Sequence, residues 1–334
     1  MLNFRQFFYQ EVRSMKKYLS LILVAFMLVG MLAACGGNDS GVTTTETGAT
    51  EAGVTEAEAA VLTTNAESAL KRNAVQDLGL DTKYKGGVLK VAMECAYAPY
   101  NWSQADDTYG AVRIADSGNF AYGYDVMMAK YLAAALGAEV EIHKMEWDSI
   151  PTAVQAGTVD CAICGMSVTA DRLETVDFTN PYYYATIVCV VNADGAYANA
   201  AKLADLDGAK ATSQLNTIWY DKCVDQIPNV GKQTAMEDVP AMFTALTSGA
   251  VDVVVCDQPT ALAAVTANPS LKLLDFSGSD DDFEVSEEDV NIGIAVTKGN
   301  DELTEALNTA LATLTKDDYT AWMEDAIAVQ PMNE

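Results

Sequence analysis

Arg172 is an odd residue for its place. The segment Gly165-Met166-Ser167-Val168-Thr169-Ala170-Asp171-Arg172 follows an apolar run, 159–164, and Thr169 has the side chain of a helix N-cap, so a short helix is expected to begin there. A cation in the first turn opposes the helix dipole; a bound anion would reverse that argument. Free N–H groups at a helix start attract carboxylates, and a guanidinium can grip both oxygens of one. Ser167 adds a hydroxyl, and Gly165 permits close approach to the backbone. Spacing alone leaves a second reading open, in which Arg172 pairs with Asp171 or Glu174 at the surface.

The opposite charge is offered by Asp257, at the end of another apolar run. It can meet an ammonium, or simply cap the helix that follows Pro259. Tyr97 and Trp147 stand in loops at strand ends, where two rings can sandwich a side chain and exclude water, or can pack in a core. Glu94, just before Tyr97, can meet a polar or cationic group or stay solvated. In Gln214-Leu215-Asn216-Thr217 a strand ends and a helix opens; Asn216 reads as its N-cap, with the N–H and hydroxyl of Thr217 free for a carboxylate or for the cap alone.

Two further clusters are weaker. Cys161-x-x-Cys164 has metal-ligand spacing, but it lies within a predicted strand, where residues three apart face opposite sides. Buried free thiols are the better account of the cysteines beyond Cys35. The acidic stretch 280–289 lacks the glycine of a calcium loop, with Val285 in its place, and reads as a solvated loop. No cofactor is expected.

Helices and strands alternate behind these loops. Val126, Ala129, Leu132, Ala133 and Leu136 form a helical stripe closed by Gly137, and strand and helix signals repeat from 210 to 267. This implies mainly parallel sheets covered by helices, an α/β fold. Ala153, Gly157, Val159, Asp160 and Cys164 recur at one constant interval as Ala245, Gly249, Val251, Asp252 and Cys256. Each copy reads as a helix, a glycine turn and a strand, which suggests two similar lobes across a cleft. Ligands of open α/β sheets sit beyond the carboxyl ends of the strands, where both copies terminate.

The chain has 334 residues, 50% hydrophobic, with a formal net charge of −27. Residues 1–35 carry +3, leaving −30 for the rest, a surface that repels phosphate backbones and excludes nucleic acid as a partner. Met15-Lys16-Lys17 followed by an apolar run to Ala34 reads as an export signal, too short for a comfortable span. It ends at Leu32-Ala33-Ala34-Cys35-Gly36, similar to a bacterial lipobox, with Cys35 as the lipidated first residue of the mature chain and Met15 as the start. Lipid on Cys35, two or more acyl chains, would give stable anchoring to the extracytoplasmic face of the membrane. Residues 36–83 read as a flexible tether, with helix-forming composition from Glu56 to Arg72.

Gly123-Tyr124-Asp125-Val126, Trp147-Asp148, Val159-Asp160, Gly165-Met166-Ser167-Val168-Thr169, Arg172 and Val176-Asp177-Phe178-Thr179-Asn180-Pro181-Tyr182-Tyr183 together resemble the family 3, polar amino-acid, extracellular solute-binding proteins of ABC importers. The resemblance runs from about Gly86 to near Gln330. It implies a periplasmic-binding-protein-like (type II) fold, two α/β lobes joined by two hinge strands around a ligand cleft: 84–190 with 292–334, and 191–291. It implies a monomer that binds a free amino acid, performs no catalysis, and docks on ABC permease subunits. By position, Arg172 matches the carboxylate-binding arginine and Asp257 the ammonium-binding aspartate. Ser167, Thr217 and the carbonyl of Gly165 match further contacts, Tyr97 and Trp147 the stacking positions, and Glu94 an acid that often reads the side chain. The sequence departs from the pattern at Met127, expected on an exposed helix face where an acid is usual; at Asn216, in place of glycine; at Ile218 and Trp219, in place of polar residues; and in a longer segment from Gln104 to Ala121. A dehydratase-like enzyme on the same scaffold would need Glu94 as its acid–base group. A sensor input module would need a spanning helix and signalling domain downstream, and neither is expected before Glu334.

Overall fold

The computed structural model describes residues 77–331. The expected leader, Cys35 and the stretch Glu56–Arg72 lie outside those residues. Strand β1 (Val88–Met93) leads into short strands β2 (Ala96–Tyr97), β3 (Asn101–Gln104), β4 (Val112–Arg113) and β5 (Phe120–Tyr122). Helix α1 (Tyr124–Ala135), β6 (Glu139–Lys144), α2 (Ile150–Gln155), β7 (Cys161–Ala162), α3 (Ala170–Leu173) and β8 (Val176–Phe178) follow. The chain then crosses through β9 (Tyr183–Tyr184) to β10 (Ile187–Asn192), β11 (Lys210–Thr212), β12 (Gly231–Lys232), α4 (Val239–Thr247), β13 (Val253–Asp257), α5 (Gln258–Ala267) and β14 (Leu271–Leu274). It returns through α6 (Glu287–Val290) and β15 (Asn291–Ile292) to β16 (Ala295–Thr297), α7 (Asp301–Leu311) and α8 (Lys316–Val329).

These strands make two five-stranded sheets, one per lobe, in the orders β6-β1-β7-β16-β8 and β12-β11-β13-β10-β14. Read in those orders, each sheet has two parallel pairings followed by two antiparallel ones. The sheets are therefore mixed rather than mainly parallel. β10 and β16 each enter a sheet straight from the other lobe, with no helix to turn the chain round, so the crossing fixes their direction. The crossings themselves pair as an antiparallel ladder, Tyr184 opposite Asn291 and Tyr183 opposite Ile292.

The echoed segments are one structural device used twice. After α2, Thr158 N donates to Ala153 O at 3.1 Å through a left-handed Gly157; after α4, Ala250 N donates to Ala245 O at 3.0 Å through a left-handed Gly249. Such a turn takes a positive φ that glycine adopts without a steric penalty. Asp160 then clamps the neighbouring strand, its Oδ2 accepting from Lys90 N at 2.8 Å, and Asp252 does the same with Lys210 N at 3.0 Å.

Gln104–Ala121 supplies β4 and parts of β3 and β5 to a further, antiparallel sheet, β2-β3-β5-β4, and covers the open edge of β6, with Ile114 bridged to Ile142. An uncovered edge would template further pairing. Met127 is buried, 1% exposed, not on an open helix face. The returning helices α7 and α8 cover the side of α1 that periodicity leaves to solvent, with the ring of Trp322 edge-on to Tyr131 at 5.5 Å. Helix α8 also touches the second lobe: just past its end, Gln330 Nε2 donates to Ala263 O at 3.3 Å. Cys161 and Cys164 pack into separate apolar clusters, as strand alternation requires, and all six described cysteines are buried and free. The acidic loop is partly tied down, Asp281 Oδ2 accepting from Ala204 N at 2.7 Å, and among the described residues no acid or thiol cluster could hold a metal.

Candidate ligand-binding cleft

A cavity of about 280 Å³, partly open to solvent, lies between the lobes. The first lobe lines it with Tyr97, Trp147, Gly165, Ser167 and Arg172, and the second with Gln214, Thr217, Ile218 and Trp219. Six of the eight expected site residues therefore share one space, while Asp257 and Glu94 stand directly behind its wall.

The Arg172 loop is set by its own chemistry. Thr169 Oγ1 accepts from Arg172 N at 3.3 Å, so α3 starts where the sequence predicts. The guanidinium lies over the Trp147 ring, 5.4 Å from its centroid, a cation–π contact. Its Nη1 donates to Ser167 O at 2.8 Å, and its Nη2 reaches across the cleft to Asn216 O at 3.0 Å. Loss of hydration draws its pKa below the usual guanidinium value. Among the described residues no carboxylate forms an ion pair with it, so the surface pairing with Asp171 or Glu174 is absent.

Asp257 is both cap and buried charge. Its Oδ1 accepts from Thr260 N at 3.0 Å and its Oδ2 from Thr260 Oγ1 at 2.9 Å, capping α5; Oδ2 also accepts from Tyr97 OH at 2.5 Å. The residue is 1% exposed, and burial raises its pKa. Tyr97 thus links the cavity to Asp257 while its ring stacks on Tyr100 at 4.7 Å. Gly165 makes this possible: a Cβ there would lie 2.5 Å from the Tyr97 ring.

Glu94, 4% exposed at the end of β1, accepts from Gln214 Nε2 on both oxygens, at 3.0 and 3.1 Å. Burial pushes its carboxyl up to about 7, with the charges of Asp238 and Glu146 adding to the shift and Lys144 opposing it. Asn216 is not an N-cap. It takes a positive φ of 55°, tolerated by asparagine in place of the usual glycine, and its Nδ2 donates across the cleft to Asp148 Oδ1 at 2.8 Å. Thr217 supplies the turn instead, its hydroxyl donating to Gln214 O at 2.7 Å and accepting from Tyr220 N at 3.4 Å.

Sequence reasoning missed two parts of the site. Gln214 was visible only as a strand end. Asp125, fully buried and pushed up to about 7 by burial, accepts from Tyr182 OH and Asn101 Nδ2, both at 2.8 Å, and Tyr182 OH in turn accepts from Gly165 N at 3.1 Å. That chain of bonds holds the Gly165 loop in place. An acid inside the apolar start of α1 was the available signal.

The sequence profile of the bacterial extracellular solute-binding proteins, family 3, matches residues 89–325. The chain belongs to that family. As a family 3 solute-binding protein it is a transport component rather than an enzyme. It is similar to the L-cystine-binding protein TcyJ of Escherichia coli, 28% identical over 243 residues that cover 72% of this chain and 83% of that one. Its fold matches an amino acid ABC transporter substrate-binding protein of Streptococcus pneumoniae bound to L-arginine, with 27% identity, a TM-score of 0.62, and coverage of 73% of this chain and 95% of that one. It also matches an ancestral arginine-binding protein bound to arginine, with 32% identity, a TM-score of 0.57, and coverage of 72% and 97%. The two-lobed type II architecture is common to all of these structures.

Proposed function

We propose that this protein captures a free amino acid with a polar or cationic side chain outside the cell and delivers it to an ABC permease, tethered to the membrane by lipid on Cys35. One observation carries the reading: Arg172 faces a cavity between two lobes with no carboxylate partner among the described residues, one tyrosine away from the buried Asp257. A zwitterion supplies what each lacks, a carboxylate for Arg172 and Ser167 and an ammonium for Asp257. Relatives that bind L-cystine and L-arginine support an amino-acid ligand. Closure about the ladder of β9 and β15 would bury the ligand and present both lobes together to the permease. Micromolar affinity corresponds to about −8 kcal/mol, within reach of two charge contacts and aromatic walls.

The test is calorimetry with the twenty amino acids. The wild-type protein should bind at least one, and Arg172→Ala should abolish detectable binding of it, because the ligand carboxylate would be buried unpaired. Near-normal affinity in the variant would refute the assignment. For the tether, mass spectrometry of the membrane-bound protein should find acyl chains on Cys35 and none in Cys35→Ser; an unmodified Cys35 thiol in the wild type would rule out the lipid.

A further inference from the structure

Gln214 closes one wall of the cavity and is 5% exposed. Its amide N–H₂ is committed: it donates to both oxygens of Glu94, and to the carbonyl of Glu237 at 3.3 Å. Glu94 comes from the first lobe, while Glu237 and Gln214 come from the second, so the arrangement forms only when the lobes meet. The Glu237 carbonyl can only accept, and an ionised Glu94 likewise, which fixes the end of the amide that faces them. The carbonyl Oε1 is left pointing elsewhere, with no donor among the described residues. The oxygen is not among the buried unpartnered atoms, so it keeps access to the cavity, where a ligand donor can take the place of water. Ile218, Trp219 and Trp147 make the neighbouring wall apolar.

We propose that Gln214 Oε1 reads the ligand's side chain and that Glu94 is a positioning residue, holding the amide so that an acceptor faces the cavity. The ligand class is then an amino acid with an apolar stem ending in N–H donors, a guanidinium, ammonium or amide. An acidic side chain is rejected twice, by an acceptor and by the carboxylate behind it. This rests on the amino-acid reading above and narrows it.

Calorimetry with L-arginine and L-norleucine tests it, since the second has an apolar stem and no terminal donor. In Gln214→Leu the arginine-to-norleucine affinity ratio should fall at least about tenfold, as in sites built to hydrogen-bond their ligand. Gln214→Met carries the same expectation should the leucine variant fail to fold. Glu94→Gln should lower the ratio too, and adding it to Gln214→Leu should change little further, because Glu94 acts through Gln214. An unchanged ratio in both Gln214 variants overturns the proposal. So does loss of arginine selectivity in Glu94→Gln that persists undiminished on the Gln214→Leu background, which would put Glu94 itself on the ligand. Failure of the wild-type protein to bind any amino acid would instead defeat the underlying reading.

Discussion

Both lobes approach the cleft through a helix, a left-handed glycine, an aspartate that clamps the adjacent strand and a short apolar strand. Beyond that point they diverge. The first strand, β7, opens into a loop that ends in a cation, Arg172; the second, β13, ends in an anion, Asp257, which caps the next helix. The surroundings differ as well. Arg172 lies on an indole face and spends its donors on carbonyls, whereas the Asp257 carboxylate accepts from two hydroxyls and one N–H; neither charge has an ionic partner among the described residues. One framework has been finished with opposite charges, and the chemistry lives in the few residues past each strand end.

If the two ends share one zwitterion, neutralising the second lobe's charge should cost nearly as much as removing the first's. Asp257→Asn retains the N-cap through its one side-chain oxygen, and its Nδ2 can donate to the Tyr97 and Thr260 hydroxyls, so the fold should hold. Affinity for the amino acid should drop about 100-fold, the scale of truncating a buried hydrogen-bonded charge pair. Calorimetry beside the wild type decides it, and unchanged affinity would break the comparison by leaving all charge recognition to Arg172. Replacing Asp257 by alanine would confuse the result, because the cap would be lost as well.

Acidity probes the same contrast from the side of stability. In the first lobe Glu94 and Asp125 are both pushed up to about 7 by burial. A carboxyl whose folded pKa is raised binds its proton more tightly when folded. Its contribution is full below the unfolded value, 4.5 for Glu94, and is lost as pH climbs towards about 7. For Glu94 alone this is about 3 kcal/mol at most. The ligand-free protein should melt at a higher temperature at pH 5 than at pH 8, and Glu94→Gln should flatten part of that slope. A wild-type melting temperature that rises across this range would contradict the burial of these acids. A ligand cation should show the reverse trend, binding more tightly as the acids ionise.

Much of this contrast was legible in the sequence, because it rests on local signals. Thr169 capping a helix, the constant interval between Asp160 and Asp252, and the alternation that separates Cys161 from Cys164 need only neighbours along the chain. What was hidden depends on chain crossings. Periodicity carries no strand direction, so the antiparallel entry of β10 and β16 was invisible. Helix α1, which carries Met127, is packed against helices more than about 160 residues further along the chain. The pairing of Glu94 with Gln214, and the reach of Asn216 to Asp148, join lobes whose facing surfaces no single segment encodes. Polar residues at strand ends gave equal support to solvent and to a partner.

The smallest effect tests whether the shared framework is structural alone. Asp160→Ala and Asp252→Ala each remove an acceptor from a neighbouring strand's N–H, Lys90 in one lobe and Lys210 in the other. Each should destabilise the protein by about 1 kcal/mol, the net worth of an ordinary hydrogen bond. Asp160 also accepts from Tyr84 OH at 3.2 Å, and among the described residues no such bond ties Asp252 to a tyrosine, so the loss of Asp160 should be somewhat the larger. Urea melts at fixed pH measure both, and calorimetry should find ligand affinity little changed in either variant. A large loss of affinity with little loss of stability would mean that the clamp steers the strand end, and that framework and site are less separable than the two lobes suggest.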